Sequence, residues 1–339
     1  MKTYFTPRLT ILFFVFAPLL WTCKSDMPQV KNSDANTAPE PDRTKSTNDL
    51  FTLPKVIAGK DRYYGSTDGI GAKALFNQPS GIFVDVDGSI LVADMGNNKI
   101  RRIVKDSIVS TLTFPNVTDG GPGTIVGPVN VAANGNLGFI AIVCPGDIFY
   151  YKPHPIDQTH PTWTMSHTGA AGFKPYWAIT WDKAYGEFFW LSISASITTN
   201  DLGFANPSAY GVGGKSAFNI TDPIKAVSVM PTEKATVYAA TRTKFYTIVG
   251  YNDDYGNGTS SAAFPGITLT SITSIACSKD GKRIYVADNG DIKAINLGYR
   301  GSISTILTGV YADGIALSLD GAYLYYSSQT RNTISKYKL

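Results

Sequence analysis

Asp-Gly turns set between short apolar runs constrain this chain more than any other feature. Residues 79–113 read PSGIFVDVDGSILVADMGNNKIRRIVKDSIVSTLT. An apolar run leads into Asp87-Gly88, and a second run ends at Val92-Ala93-Asp94. A tight turn and an alternating run follow. Asp-Gly between apolar alternations is a strong short-range hairpin signal, so the stretch predicts three short antiparallel strands and the start of a fourth. The unit recurs at SIACSKDGKRIYVAD around Asp280 and at GIALSLDGAYLYYSS around Asp320. A repeat of about 40 residues marks a chain built of stacked supersecondary units.

The middle of the chain keeps the period while losing the motif. Asn134-Gly135 supplies a turn after PVNVAA, with Phe139–Val143 as the returning strand. Trp177–Trp181 pairs with Phe188–Ser192, and Ala226–Val229 with Val237–Ala240. Units beginning near Pro79, Pro128, Pro175, Pro223, Ser271 and Tyr311 number six. The last is one strand short at Leu339, and Leu53–Ala58 can supply that strand, joining the two ends of a ring and removing an exposed edge. The expected fold is therefore an all-β, six-bladed β-propeller over residues 51–339, closed by an N-terminal strand. With 43% apolar residues, 12% aromatic residues and 32 glycines, the chain suits one large all-β domain with many turns.

Residues 58–102 carry a family resemblance. Ala58-Gly59, Asp68-Gly69, Ala74-Leu75-Phe76-Asn77, Pro79, Gly81-Ile82, Asp87-Gly88, Val92-Ala93-Asp94, Asn97-Asn98 and Ile100-Arg101 fall in the order of an NHL repeat. A weaker match covers 271–295. The chain thus resembles the NHL-repeat β-propellers, which implies the fold and little about chemistry, because propellers host many unrelated activities.

Residues 1–22 read as a lipoprotein signal peptide. Lys2 and Arg8 precede an apolar stretch, Leu9–Leu20, that is short for a membrane span. Leu20-Trp21-Thr22-Cys23 resembles a bacterial lipobox, although Thr22 stands where Gly, Ala or Ser is usual. Cys23 would carry the lipid. Residues 23–50 are rich in Ser, Thr, Asn, Asp, Lys and Pro and read as a flexible tether. Cys23-Lys24-Ser25-Asp26 resembles a surface-export signal of Bacteroidetes lipoproteins, and Asp106-Ser107-Ile108 matches the short glycosylation pattern of that phylum. The expected address is the bacterial outer membrane or cell surface, reached through a lipid anchor. Removing residues 1–22 lowers the formal charge of +4 by two, since Lys2 and Arg8 are its only charges. Near-neutrality gives no electrostatic footprint for nucleic acid, and a monomer is expected.

Candidate sites follow from the ring. The first strand of each blade lines a propeller's axis, and ligands meet the loops at one of its ends. Aligning the units on Gly81-Ile82 brings Ser80, Val129, Trp177, Lys225, Thr273 and Asp313 to one level. The loops joining strands two and three add Asn97-Asn98, Arg242-Thr243, Asn289-Gly290 and Arg331. Trp177, Lys225, Arg242, Asp313, Arg331 and Asn98 are the candidate funnel-mouth set, suited to a small polar ligand or glycan, with an envelope protein as the other class of partner.

No catalytic set is evident and no cofactor is expected. The competing reading is a hydrolase or lyase holding Ca²⁺ or Zn²⁺ in the funnel. His154, His160 and His167 all fall in one Pro-rich neighbourhood of unit two, and Glu187 and Glu233 lie away from the axis, so neither supplies ligands from several blades. Asp94 and Asp288 end strands and are expected to cap turns. Cys144 and Cys277 fall in units three apart around a ring of six and are expected to stay unbridged. The cluster from Tyr176 to Trp190 is expected to be mostly core between blades, with Trp177 at the mouth.

Overall fold

The computed structural model describes residues 53–114, 124–135, 139–145, 147–152, 164–167, 176–181, 189–196, 199–206, 211–218, 220, 222–232, 236–249, 259–298 and 301–339. The expected signal peptide and tether, Cys23 included, lie outside them, as do His154 and His160.

The described strands form antiparallel sheets, six in number. Five have the four strands of a regular blade. The first, sheet I, has Pro79–Val84 innermost, then Ile90–Asp94, Lys99–Val104 and Ile108–Thr111. It departs from the expected four strands by adding a fifth at its outer edge, Gly69–Ile70, which pairs with Val109 and Ile108. The inner strands of sheets II to V are Asn130–Asn134, Tyr176–Trp181, Ala226–Val229 and Ile272–Cys277. Sheet VI has Ile315–Leu317 innermost, then Tyr323–Ser328 and Thr333–Lys338. Its outermost strand is Lys55–Gly59, paired antiparallel with the C-terminal strand from Lys55↔Lys336 to Gly59↔Thr333. Each inner strand packs on the inner strands of its two neighbours, and Pro79–Val84 meets Ile315–Leu317.

The period of two explains the packing. Alternate side chains of a strand point to opposite faces, and here both faces are buried against a neighbouring sheet. In Arg283–Asp288, Ile284 and Val286 pack with Ala226, Met230 and Phe245 of sheet IV. Tyr285 and Ala287 of the same strand pack with Ile315, Leu324 and Tyr326 of sheet VI. In sheet I, Ile90 and Val92 face Tyr325 and Ile334, while Leu91 and Ala93 face Val131, Ile142 and Phe149 of sheet II. Trp181, an expected core residue, is 6% exposed among Val129, Phe139 and Tyr150. Cys144 and Cys277 are both buried free thiols.

The three Asp-Gly turns share one device. Gly88, Gly281 and Gly321 have φ of 80°, 67° and 77°, the left-handed region that glycine enters without penalty. The aspartate before each glycine accepts a backbone N–H two residues on: Ser89 to Asp87 at 2.8 Å, Lys282 to Asp280 at 3.1 Å and Ala322 to Asp320 at 3.0 Å. The sequence pattern thus encodes both the turn conformation and its hydrogen bond.

Candidate funnel-mouth site

The strand-ending aspartates hold the loops that enter the mouth, which is more than the turn-capping expected of them. Asp94 is fully buried. Its Oδ1 accepts the Asn77 N–H at 2.8 Å, and its Oδ2 accepts from Asn97 Nδ2 at 2.9 Å and Arg101 Nη1 at 2.7 Å. Arg101 also reaches Asp68 Oδ1 and the Thr67 carbonyl at 2.7 Å each, and the Leu75 carbonyl at 2.9 Å. Burial pushes the Asp94 carboxyl above the usual carboxylate range despite these donors. Asp288 does the same work in sheet V. Its Oδ1 accepts the Thr270 and Ser271 N–H groups at 2.9 and 2.6 Å, and its Oδ2 pairs with Lys293 Nζ at 2.6 Å. Burial opposes ionisation there, but Lys293 and the two N–H groups win, and the carboxyl lies below its ordinary value. In sheet VI a neutral amide substitutes: Asn332 Oδ1 accepts the Gln78 N–H at 2.8 Å, reaching across to the loop that enters sheet I.

With those loops fixed, the axis opens at one end into a cavity of about 560 Å³. Sheet I lines it with Ser80, Gly81 and Met95, and sheet II with Val129 and Asn130. Lys225 and Arg242 come from the sheet IV sector, Ser271 to Ser274 from sheet V, and Asp313, Gly314 and Gln329 from sheet VI. A second cavity of about 290 Å³ follows the inner strands and shares Asn130, Lys225, Thr273 and Ser274 with the first.

Five of the six positions aligned from the sequence line this cavity: Ser80, Val129, Lys225, Thr273 and Asp313. The sixth, Trp177, is in the strand Tyr176–Trp181, and its side chain lies outside the described residues. Arg242 joins the cavity, but Asn98 and Arg331 are not among its lining residues. Asn98 has φ of 55° and its Oδ1 accepts the Gly127 N–H at 2.7 Å, making it a loop brace. Arg331 lies over the Tyr311 ring at 5.3 Å, with Asp61 3.9 Å away on the outer rim. Met95 and Gln329 are lining residues that the alignment missed.

The charges at the mouth are costly to hold. Burial lowers the Lys225 ammonium below its ordinary value, and the positive charge of Arg242 lowers it further. Burial raises the Asp313 carboxyl, although its Oδ2 accepts the Gln329 N–H at 2.7 Å. A carboxyl raised in the folded state favours folding below its unfolded value, a contribution lost as pH rises through the folded value. An ammonium lowered in the folded state favours folding above its unfolded value, a contribution lost as pH falls through the folded one. Both charged forms therefore oppose folding at neutral pH. Among the described residues no group of three or more His, Cys, Asp or Glu converges as a metal cage would need.

No protein-family model matches the chain, and no curated protein matches it. Solved structures do. A protein of unknown function from Bacteroides thetaiotaomicron is 14% identical with a TM-score of 0.60, covering 84% of this chain and 75% of its own. The aldose sugar dehydrogenase of Streptomyces coelicolor, in its PQQ-bound form, is 13% identical with a TM-score of 0.53, over 84% and 98%. A virginiamycin B lyase from Staphylococcus aureus is 16% identical with a TM-score of 0.50, over 77% and 80%. At these identities the likeness is one of architecture: the chain has the all-β fold of the β-propellers.

Proposed function

We propose that this chain is a binding propeller of six blades, of the NHL-repeat type, anchored on the bacterial cell surface by a lipid on Cys23 and taking a small polar ligand at its funnel mouth. The observation that carries the reading is the convergence of Lys225, Arg242 and Asp313 on one axial cavity of about 560 Å³. Lys225 and Asp313, whose charged forms oppose folding, are gathered in this cleft from separate sheets, which marks a site kept for binding rather than for stability. Neutral donors and acceptors from Ser80, Asn130, Thr273 and Gln329 around them suit a ligand recognised by hydrogen bonds.

Thermal melting of the full chain against neutral and acidic sugars, short peptides and divalent cations tests this, because a ligand of the native state raises stability by mass action. A soluble sugar or peptide at a hundredfold excess over its Kd should add about 2.7 kcal/mol of stability. Trp177→Ala should weaken that shift. A shift with Ca²⁺ or Zn²⁺ alone would replace the binding reading by a metal-dependent hydrolase or lyase, and no shift with any probe would move the function to protein contacts. The anchor has its own readout: cells fed a palmitate analogue should label the wild-type chain and leave Cys23→Ser unlabelled.

A further inference from the structure

The rim beside the mouth carries a second surface. Tyr311, Tyr63 and Tyr64 are 48%, 55% and 76% exposed. All three belong to the mouth face. Tyr311 stands two residues before Asp313, and Arg331 two residues after Gln329, so both adjoin cavity-lining residues of sheet VI. The segment after Gly59 then crosses from sheet VI to sheet I. The Arg62 N–H donates to the Arg331 carbonyl at 2.8 Å, the Gly65 N–H to the Phe76 carbonyl at 3.0 Å, and Asn97 Nδ2 to the Gly65 carbonyl at 2.6 Å. The rings thus form an arc that starts beside the cavity and continues over the seam between sheets VI and I. Two of them are held in place: the Arg331 guanidinium lies over the Tyr311 ring at 5.3 Å, and Lys60 Nζ over the Tyr63 ring at 3.6 Å. Tyr311 and Arg62 have φ of 55° and 63°, the left-handed region where a bulky residue is strained. Strain at exposed residues that add nothing to the core points to a use for their side chains.

Resting on the binding reading above, we infer that the ligand is an oligosaccharide: its terminal unit occupies the cavity, and its following units run over Tyr311, Tyr63 and Tyr64. A pyranose presents C–H groups on its faces, which match the negative face of an aromatic ring, and hydroxyls around its edge. Those hydroxyls meet the tyrosine hydroxyls, the exposed Arg62, and the Arg331 guanidinium with the Asp61 carboxylate 3.9 Å from it. Rings already held by a cation lose little freedom on binding, so stacking on them appears as affinity. No exposed aliphatic side chain belongs to the arc; Val56, Ile70, Ile108 and Ile303 are on outer strands. A protein partner would want a packed apolar centre, whereas separate rings among polar groups suit a chain of sugars. Affinity should therefore rise with the number of sugar units until the arc is covered.

Calorimetric titration of the full chain with monosaccharides and their matching linear tetrasaccharides tests the inference, the sugars being glucose, mannose, galactose, N-acetylglucosamine and galacturonate. At least one tetrasaccharide should bind about tenfold more tightly than its monosaccharide, a gain of about 1.4 kcal/mol. Tyr311→Gly and Tyr63→Ser should each cut that gain by about threefold, with the loss falling on the longer chain. Glycine takes a φ of 55° without penalty, so Tyr311→Gly should melt at or above the wild-type temperature, and its lost gain then reports the ring rather than the fold. Tyr63→Ser at a solvent-exposed position gives the second, independent reading. Equal affinity for every monosaccharide and its tetrasaccharide overturns the inference and leaves the binding propeller standing. A tetrasaccharide gain untouched by both variants also overturns it, because the extra units then lie away from the arc. No binding by any of these sugars overturns it too, and a peptide shift in the melting experiment then decides whether the binding propeller survives.

Discussion

Arg101→Met is expected to lower the unfolding free energy by about 3–5 kcal/mol, as when one partner of a buried ion pair is removed and the other charge is stranded. The Arg101 and Asp94 side chains are both 0% exposed and their atoms meet at 2.7 Å. Methionine fills much of the volume but offers no donor to Asp94, Asp68 or the Thr67 and Leu75 carbonyls, all of which now accept from the guanidinium. Asp94 would keep only Asn77 and Asn97, and Asp68 only Thr111, so the tie from Lys99–Val104 to the Thr67 and Leu75 carbonyls is lost and the loop from Thr67 to Asn77 should loosen along with the sheet it caps. Urea unfolding followed by circular dichroism measures the effect. The pair Arg101→Met with Asp94→Leu should cost less than the sum of the single changes, because the second removes the charge the first leaves exposed to an apolar site. A single-variant loss below about 0.5 kcal/mol would show that Arg101 is ornamental.

Gly314→Ala should destabilise by about 1–3 kcal/mol and distort the mouth as well. A Cβ at Gly314 would lie 2.5 Å from the Ser80 carbonyl oxygen and 2.9 Å from Ser327 Oγ. Ser327 Oγ donates to that same carbonyl and accepts the Gly314 N–H at 2.9 Å, so neither atom can retreat without breaking the seam between sheets VI and I. Gly81 is equally confined, with Asn130 Oδ1 at 2.4 Å from its notional Cβ. These two glycines set how closely the inner strands approach, and both line the cavity. Ligand affinity should therefore fall with stability in Gly314→Ala. Gly266→Ala is the control: nothing lies within 4 Å of its notional Cβ, and its effect should stay within about 0.5 kcal/mol. Equal midpoints for the two variants in the same urea series would show that the close approach at Gly314 relaxes freely.

Those two regions also show how much the residue order discloses. The hairpins at Asp87-Gly88, Asp280-Gly281 and Asp320-Gly321 were legible because turn conformation and its hydrogen bond are both local. The inner-strand level was legible because period and turn spacing fix it, which is how Ser80, Val129, Lys225, Thr273 and Asp313 could be aligned. The loops after the second strand were less so. Asn98 and Arg331 belong to those loops by sequence position, yet neither side chain lines the cavity. A better register marker is the buried residue that ends the second strand, Asp94, Asp288 or Ser328, or directly follows it, Thr241. The residue following each is Met95, Arg242, Asn289 or Gln329, and three of those four line the cavity. Nothing local announces that marker, because its burial comes from loops elsewhere in the chain. The fifth strand of sheet I, only Gly69–Ile70, was hidden for the same reason: two residues carry no period, and the pairing with Ile108–Thr111 spans the whole sheet.

The pairing of Lys55–Gly59 with Thr333–Lys338 has a consequence for synthesis. The first strand of the domain to leave the ribosome belongs to the last sheet to be completed. At ordinary elongation rates it waits on the order of tens of seconds for its partner. Through that interval its hydrogen-bonding edge is open, and an open edge recruits other strands. The pairing is also among the longest-range contacts in the chain, so it is the contact whose loop-closure entropy most delays the folding transition. A growing chain with every other sheet already formed would still be an open arc, with Ile57, Ala58 and Phe76 lacking the Ile334 and Tyr325 they pack against at the end. The vulnerable period of this molecule is thus its own translation, and a chaperone that shields one short strand would protect the whole ring.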